Sequence, residues 1–178
     1  MLMGRAALDY LPHYTLEDYD RWEGDWELID GVPFAMAPSP KANHQALAGK
    51  LHLIVGRQLE DCRTCSIFYE LDWRMAHDTV VRPDLLIVCG DEVLDYVRKA
   101  PVLIAEVESG ASREYDRQLK FNLYQKHGVA YYLIASPVEG RLEAYVLEKG
   151  VYKLQKGDAF TFQLSKDCRI QLPETIDM

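Results

Sequence analysis

The chain has 178 residues, of which 48% are hydrophobic and 27% are charged, a composition typical of one folded globular domain rather than a disordered or fibrous protein. No apolar run approaches the roughly 20 residues that span a bilayer, and residues 1–11 lack the apolar stretch of a signal peptide. We therefore expect residues 1–178 to form a single cytoplasmic domain with no membrane association. The 28 acidic residues outnumber the 20 basic ones, which argues against a nonspecific nucleic-acid binder that relies on neutralising phosphates.

The first half of the chain predicts two helices, a hairpin and a strand. Thr15 is expected to cap a short helix, and residues 26–36, with Asp30-Gly31 at their centre, predict a β-hairpin. The Pro-Ser-Pro segment at 38–40 leads into a second helix, whose apolar face recurs every 3.6 residues and comprises Leu47, Leu51, Ile54, Val55 and Leu59. Alternating side chains from 66 to 75 predict one strand with a buried face.

The second half predicts the centre of a sheet. Unbroken apolar runs at 85–89 and 102–105 are typical of strands covered on both faces. Helical spacing returns between Ser112 and His127, and residues 129–134 read as another strand, so the connection implies a crossover and a parallel pair. A second hairpin is expected around residues 148–150. The predicted fold is α/β with a mixed sheet.

The four cysteines, at positions 62, 65, 89 and 168, lack the two ligand pairs that a structural zinc site needs. We expect them to be unpaired thiols in a reducing cytoplasm.

Acidic residues stand at the edges of the most apolar strands. Asp84 directly precedes one run, and Glu106 interrupts the other. A buried carboxylate is costly unless a cation, a metal or hydrogen bonds compensate it, and carboxylate oxygens are what Mg²⁺ prefers. Ordinary salt bridges at strand ends are the alternative interpretation of the same pattern.

The following helix adds a cation. Asp116, Lys120 and Tyr124 are spaced four residues apart and share one helix face. A short connection joins Glu106 to this helix, so Lys120, about two turns in, is expected to point back over the carboxylates. An exposed Asp116–Lys120 ion pair is the simpler alternative.

These residues resemble the Uma-type restriction endonucleases, a branch of the PD-(D/E)XK nuclease superfamily, over about residues 14–152. The matching pieces, in order, are Trp26-Glu27-Leu28-Ile29-Asp30-Gly31, Met36-Ala37-Pro38-Ser39-Pro40 with His44, Arg82-Pro83-Asp84, Glu106-Val107-Glu108-Ser109, Asp116, Lys120, Tyr124, and Gly128-Val129 before Tyr131-Tyr132. The resemblance implies a restriction-endonuclease-like fold, a mixed central β-sheet flanked by α-helices, with a metal site at one end of the central strands.

The resemblance also implies roles for individual residues. Asp84 and Glu106 become catalytic metal ligands for Mg²⁺ or Mn²⁺, Glu27 completes the metal shell, and Lys120 replaces the usual motif lysine, since Glu108 stands at that position. The implied activity is hydrolysis of DNA phosphodiester bonds.

Four further residues are predicted to bind substrate or to orient the site: His44, Glu108, Asp116 and Tyr124. Glu108 is either a further ligand or a partner that neutralises Lys120. Two other functions stay open: a catalytically inactive nuclease-fold homodimer that binds nucleic acid or protein, and an enzyme for a different phosphoester. A homodimer is expected in either case, since twofold dimers are the commonest assembly.

Overall fold

The computed structural model describes residues 12–36, 40–90, 93–110 and 114–177. The predicted chain break at 38–40 and the first residues of the helix predicted from Ser112 lie partly outside these ranges. The helices are α1 (Leu16–Tyr19), α2 (Ala42–Leu59) and α3 (Phe121–Lys126), and a π-helical segment (Tyr115–Lys120) runs directly into α3. The strands are β1 (Trp26–Ile29), β2 (Val32–Ala35), β3 (Cys65–Tyr69), β4 (Trp73–Ala76), β5 (Thr79–Val81), β6 (Leu85–Cys89), β7 (Leu103–Val107), β8 (Tyr131–Ala135), β9 (Leu142–Glu148), β10 (Val151–Leu154), β11 (Ala159–Ser165) and β12 (Cys168–Pro173).

The strands form three sheets. A six-stranded sheet has the order β10-β9-β8-β7-β6-β3, a four-stranded sheet has the order β2-β1-β5-β4, and β11 pairs with β12. Strands β7 and β8 are parallel, as the strand–helix–strand pattern predicts, and the other paired strands of the six-stranded sheet are antiparallel. The predicted mixed central sheet is therefore confirmed.

Both faces of the six-stranded sheet are buried, which explains the unbroken apolar runs. Leu85 and Leu103 point into a core shared with α2 and the β11–β12 hairpin. Leu86 and Ile104 point the other way, into a core shared with α3 and the four-stranded sheet. Adjacent residues of one strand thus serve two separate cores.

Both predicted hairpins are present with the expected turns. Asp30 and Gly31 have φ angles of 48° and 76°, and Lys149 and Gly150 have φ angles of 52° and 81°. Two consecutive residues with positive φ form the turn whose twist matches that of paired strands. At the predicted helix start, the Thr15 backbone N–H donates to the Asp18 carboxylate at 2.9 Å, which closes the first turn of α1.

The single strand predicted from 66 to 75 is wrong. The chain leaves the six-stranded sheet after Tyr69, which pairs with Leu85, and enters the four-stranded sheet at Trp73, which pairs with Val81. Between them Glu70 adopts a φ of 49°, a left-handed conformation that interrupts the extended backbone of a strand.

The expectation of unpaired cysteines is also wrong. Cys62 is bonded to Cys168, and Cys65 to Cys89. Cys65 and Cys89 are directly opposite in the β3–β6 ladder, whereas the first disulfide fastens the β11–β12 hairpin to the turn after α2. Within the described residues, no helix is both long and apolar enough to cross a membrane.

Candidate active site

The strand register brings the two predicted acidic residues together. Leu85 of β6 pairs with Ala105 of β7, so Asp84 and Glu106 stand opposite each other at the ends of these antiparallel strands. The Val107 N–H donates to Asp84 Oδ2 at 2.7 Å, and the Asp84 N–H lies 3.3 Å from Glu106 Oε2. Each carboxylate is thus fixed partly by the main chain of the other strand.

Lys120 points back over the carboxylates, as its position in the helix predicts. Its Nζ lies 2.9 Å from Glu106 Oε1 and 3.0 Å from Glu27 Oε1. The Tyr124 hydroxyl donates to the same Glu106 oxygen at 2.7 Å. Lys120 is only 5% exposed, Glu106 2% and Glu27 3%, so the exposed ion pair that was the alternative interpretation is excluded.

The π-helical segment explains how this helix reaches Glu27. A π-helix carries an extra residue in its turn and commonly occurs at functional sites. Tyr115 and Lys120, five residues apart, both contact Glu27: the Tyr115 hydroxyl donates to Oε2 at 2.8 Å. The Lys120 ammonium also lies 5.5 Å from the centre of the Tyr115 ring, a favourable cation–π distance.

His44 adds an imidazole beside Asp84. It lies in the first turn of α2, and its Nε2 is 3.2 Å from Asp84 Oδ2. Burial opposes the charged form of the ring, but the adjacent Asp84 carboxylate outweighs burial and raises the pKa of His44 above its ordinary value. His44 therefore presents a more basic group at the edge of the site.

The other two predicted orienting residues lie nearby. Asp116 is buried in the π-helical segment, where its main-chain carbonyl accepts a hydrogen bond from the Tyr132 hydroxyl at 3.1 Å. Glu108 is 8% exposed and pairs with Arg117, which also holds Glu143 at 2.7 Å. Because Lys120 pairs with Glu27 and Glu106, the suggestion that Glu108 neutralises it is wrong.

Burial and the neighbouring charges together set the pKa values of the central groups. It raises the pKa of Glu106 to about 8, although the Lys120 ammonium acts in the opposite direction. Burial alone would lower the pKa of Lys120, but Glu106 and Glu27 outweigh it, so the pKa lies well above its ordinary value and the ammonium stays charged. Burial also raises the pKa of Tyr124, which keeps its hydroxyl a hydrogen-bond donor.

The donor chemistry at Asp84 and Glu106 fits a hard divalent cation. Both contacts of the Asp84 carboxylate with described residues use Oδ2. Within the same part of the chain, Glu106 Oε2 has only the long contact with the Asp84 N–H. An oxygen of each carboxylate is therefore available to a metal ion, and carboxylate oxygens are suitable ligands for Mg²⁺ or Mn²⁺.

Glu27 does not converge with that pair. Three metal-type ligand atoms that all lie within 4.8 Å of one another occur elsewhere among the described residues. Glu27, Asp84 and Glu106 do not form such a group. Both Glu27 oxygens are already used: Oε1 accepts from the Arg82 N–H at 2.7 Å and contacts Lys120, while Oε2 accepts from Tyr115. The ammonium separates Glu27 from Glu106.

Sequence reasoning missed two residues of this network. Tyr115 was not singled out because its five-residue distance from Lys120 matches no α-helical period, and only a π-helix places both on one carboxylate. Arg117 was missed because its partners, Glu108 and Glu143, belong to segments whose proximity depends on the sheet order. The unusual Glu108 after Glu106 was the available signal, since a buried acid needs a cation.

The fold and these side chains define a protein of the restriction-endonuclease-like class: a mixed sheet with two strand-edge carboxylates and a lysine from the following helix. The family model Uma2, described as "Putative restriction endonuclease", matches residues 16–173, and the chain belongs to that family. The predicted resemblance is thus confirmed, and it extends beyond residue 152 to include the β11–β12 hairpin.

A solved structure has the same fold. The crystal structure of a "putative nuclease belonging to DUF820" from Anabaena variabilis ATCC 29413 superposes with a TM-score of 0.70, covering 85% of this chain and 89% of that chain at 16% sequence identity. At that identity the similarity shows the fold alone. No curated protein matches the chain.

Proposed function

We propose that this protein is a Mg²⁺-dependent endonuclease that hydrolyses DNA phosphodiester bonds, with Mn²⁺ as an alternative ion. The observation that supports this most strongly is the meeting of Asp84, Glu106 and Lys120 at one end of the central strands. Glu106 and Lys120 are both buried, which is costly for charged groups, and the side chain of Asp84 beside them is 19% exposed. A structural role alone gives no reason to leave carboxylate oxygens available there.

Asp84 and Glu106 would hold the ion. When bound there, Mg²⁺ lowers the pKa of a bound water and neutralises charge on the scissile phosphate. Tyr124 fixes the Glu106 carboxylate by its 2.7 Å hydrogen bond, and Val107 fixes Asp84 by its N–H. Such rigid placement is what metal-assisted hydrolysis requires of its ligands.

Lys120 would stabilise the negative charge that develops on the phosphate in the transition state. Its ammonium is held by Glu27 and Glu106, so little reorganisation is needed when the substrate arrives. We assign Glu27 to positioning Lys120 instead of to the metal shell, because both of its oxygens already accept hydrogen bonds or contact the ammonium. His44, whose Nε2 lies 3.2 Å from Asp84 Oδ2, would contact a phosphate oxygen from the edge of the site.

A second candidate function is a catalytically inactive nuclease-fold homodimer that binds nucleic acid or protein. The net charge of −8 and Glu108 at the usual position of the motif lysine favour this alternative. Glu108 is neutralised by Arg117, which reduces its effect on a phosphate. We propose a homodimer for either function, and sedimentation of the purified protein tests it. A cytoplasmic location stays a prediction, and two disulfides are more common in oxidising compartments.

The test is cleavage of supercoiled plasmid in Mg²⁺, Mn²⁺ or EDTA. The wild type is expected to nick the plasmid only with metal, and Asp84→Asn and Glu106→Gln to reduce the rate by about 100-fold or more, the scale of a lost catalytic group. Asp95→Asn, at an exposed position outside the site, is the matched control and is expected to retain activity. Equal rates in all four proteins would point to a contaminating nuclease. No cleavage by the wild type with either metal would favour the binding function.

A further inference from the structure

A second group of metal-type ligands lies outside the carboxylate site. His13 precedes α1, and His77 and Asp78 form the turn between β4 and β5. Their ligand atoms all lie within 4.8 Å of one another. The His13 and His77 side chains are 56% and 78% exposed, whereas that of Asp78 is 16% exposed, so the group opens to solvent on the histidine side.

The main chain holds these three residues in place. The Leu16 N–H donates to the His77 carbonyl at 2.7 Å, the Gly31 N–H to the Asp78 carbonyl at 2.9 Å, and the Tyr14 N–H to the Gly31 carbonyl at 2.9 Å. The segment around His13, the β1–β2 turn and the β4–β5 turn are therefore joined in one hydrogen-bonded unit. Preorganised ligands of this kind reduce the entropic cost of binding an ion.

Gly31 leaves room for the His13 ring. A Cβ atom at Gly31 would clash with the ring atoms around His13 Nδ1, and its φ of 76° already favours glycine. The ring therefore lies directly over the β1–β2 turn, with Nε2 turned to Asp78 Oδ2 at 2.9 Å.

The donor distances fit a tetrahedral ion. Zn²⁺ binds imidazole nitrogen and carboxylate oxygen at about 2.0–2.2 Å, which places neighbouring ligand atoms about 3.3–3.6 Å apart. The Asp78 Oδ2 atom is 2.9 Å from His13 Nε2 and 3.7 Å from His77 Nε2, values that bracket this range. The ligand atoms of His13 and His77 also lie within 4.8 Å of each other.

We propose that His13, His77 and Asp78 bind a divalent transition-metal ion of the Zn²⁺ class, at a site separate from Asp84 and Glu106. Two imidazoles and one carboxylate select zinc-like ions over Mg²⁺, which prefers oxygen ligands alone. The solvent-exposed side of the group leaves a fourth position for water. The bound ion ties the segment before α1 to the β4–β5 turn of the four-stranded sheet.

The experiment is calorimetric titration of the EDTA-stripped, redialysed full chain with Zn²⁺ in excess Mg²⁺, which competes for the carboxylate site. We expect one equivalent of Zn²⁺ to bind the wild type. His13→Gln and His77→Gln are each expected to weaken binding by more than about tenfold, the least that loss of even an outer-shell metal contact causes. His127→Gln is the matched control, since His127 lies beyond the end of α3, and is expected to bind as the wild type does.

Two further readouts make the outcome decisive. Co²⁺ bound at this site is expected to give the intense visible absorption of tetrahedral coordination, and Zn²⁺ to raise the melting temperature of the wild type but not of His13→Gln. Asp84→Asn is expected to bind Zn²⁺ normally, whether or not it cleaves DNA. The proposal is overturned if the wild type binds no Zn²⁺, if the His13 and His77 variants bind it unchanged, or if Asp84→Asn loses it.

Discussion

Replacing Lys120 by methionine is expected to destabilise the protein strongly. The Lys120 ammonium lies 2.9 Å from Glu106 and 3.0 Å from Glu27, and all three side chains are at most 5% exposed. Methionine fills a similar volume but leaves two buried carboxylates without their cation, and breaking a buried ion pair in this way costs about 3–5 kcal/mol. For a chain of this size, that corresponds to a melting temperature about 6–20 °C lower.

Urea unfolding at about pH 9 measures this loss best, because Glu106, with a pKa of about 8, is then charged in the wild type. At lower pH, protonation of the carboxyl group would relieve part of the penalty. The urea concentration at the unfolding midpoint is expected to fall, while the slope of the unfolding free energy against urea concentration stays unchanged. An unchanged slope identifies a change of stability rather than of the unfolded state.

A matched control and a double variant separate the ion pair from the loss of a long side chain. Lys126→Met, at an exposed position on α3, is expected to change stability by no more than about 0.5 kcal/mol. Adding Glu106→Gln to Lys120→Met is expected to recover about 1–3 kcal/mol, because one uncompensated charge is removed. The reasoning is refuted if Lys120→Met costs no more than the control, or if Glu106→Gln worsens it.

Three further predictions follow from burial, cross-linking and backbone geometry. Burial raises the Glu106 pKa from 4.5 to about 8, so the folded protein binds this proton more tightly than the unfolded chain does. The free energy of unfolding is therefore expected to fall as pH rises from about 5 to about 8. Urea unfolding midpoints across this range should show the decline, and the Glu106→Gln variant should show a smaller one. The disulfide between Cys62 and Cys168 closes a loop with a sequence separation of 106. Replacing both residues by serine is expected to lower the free energy of unfolding, measured in urea, by up to about 4.7 kcal/mol. An unchanged free energy would show that the bond does not form. Gly31→Ala is expected to lower stability by about 1–3 kcal/mol because φ is 76° there. Gly49→Ala, in open space on α2, is expected to raise stability by up to about 1 kcal/mol. Melting temperatures of the two variants that shift in the same direction would contradict this.

The centre of the site could be predicted because its charged residues stand within or beside apolar segments of the sequence. Asp84 and Glu106 interrupt apolar runs, and a carboxylate at such a position needs a compensating partner. The spacing of Lys120 and Tyr124 then predicted one inward helix face, which the structure confirms. Local sequence is sufficient here because the crossover from β7 places the helix beside its own strand.

The remaining features depend on tertiary positions or on backbone conformations that local patterns do not reveal. The left-handed conformation of Glu70 divides one alternating run into β3 and β4, although glutamate gives no sign of it. Disulfide partners are set by the approach of distant segments, so Cys62 and Cys168 could not be paired from spacing. The β11–β12 hairpin does carry a local signal, because Phe160 and Phe162 begin an alternation of buried and exposed residues.

The central claim is tested most directly by the rate of plasmid nicking in Mg²⁺ for the wild type and Asp84→Asn, purified side by side through two successive columns. Asparagine keeps an acceptor for the Val107 N–H but removes the charge that a metal needs, so a general effect on folding is small. We predict that metal-dependent nicking coelutes with the wild-type protein and falls by about 100-fold or more in Asp84→Asn. Nicking that does not coelute with the protein, or that persists unchanged in Asp84→Asn, would contradict the account.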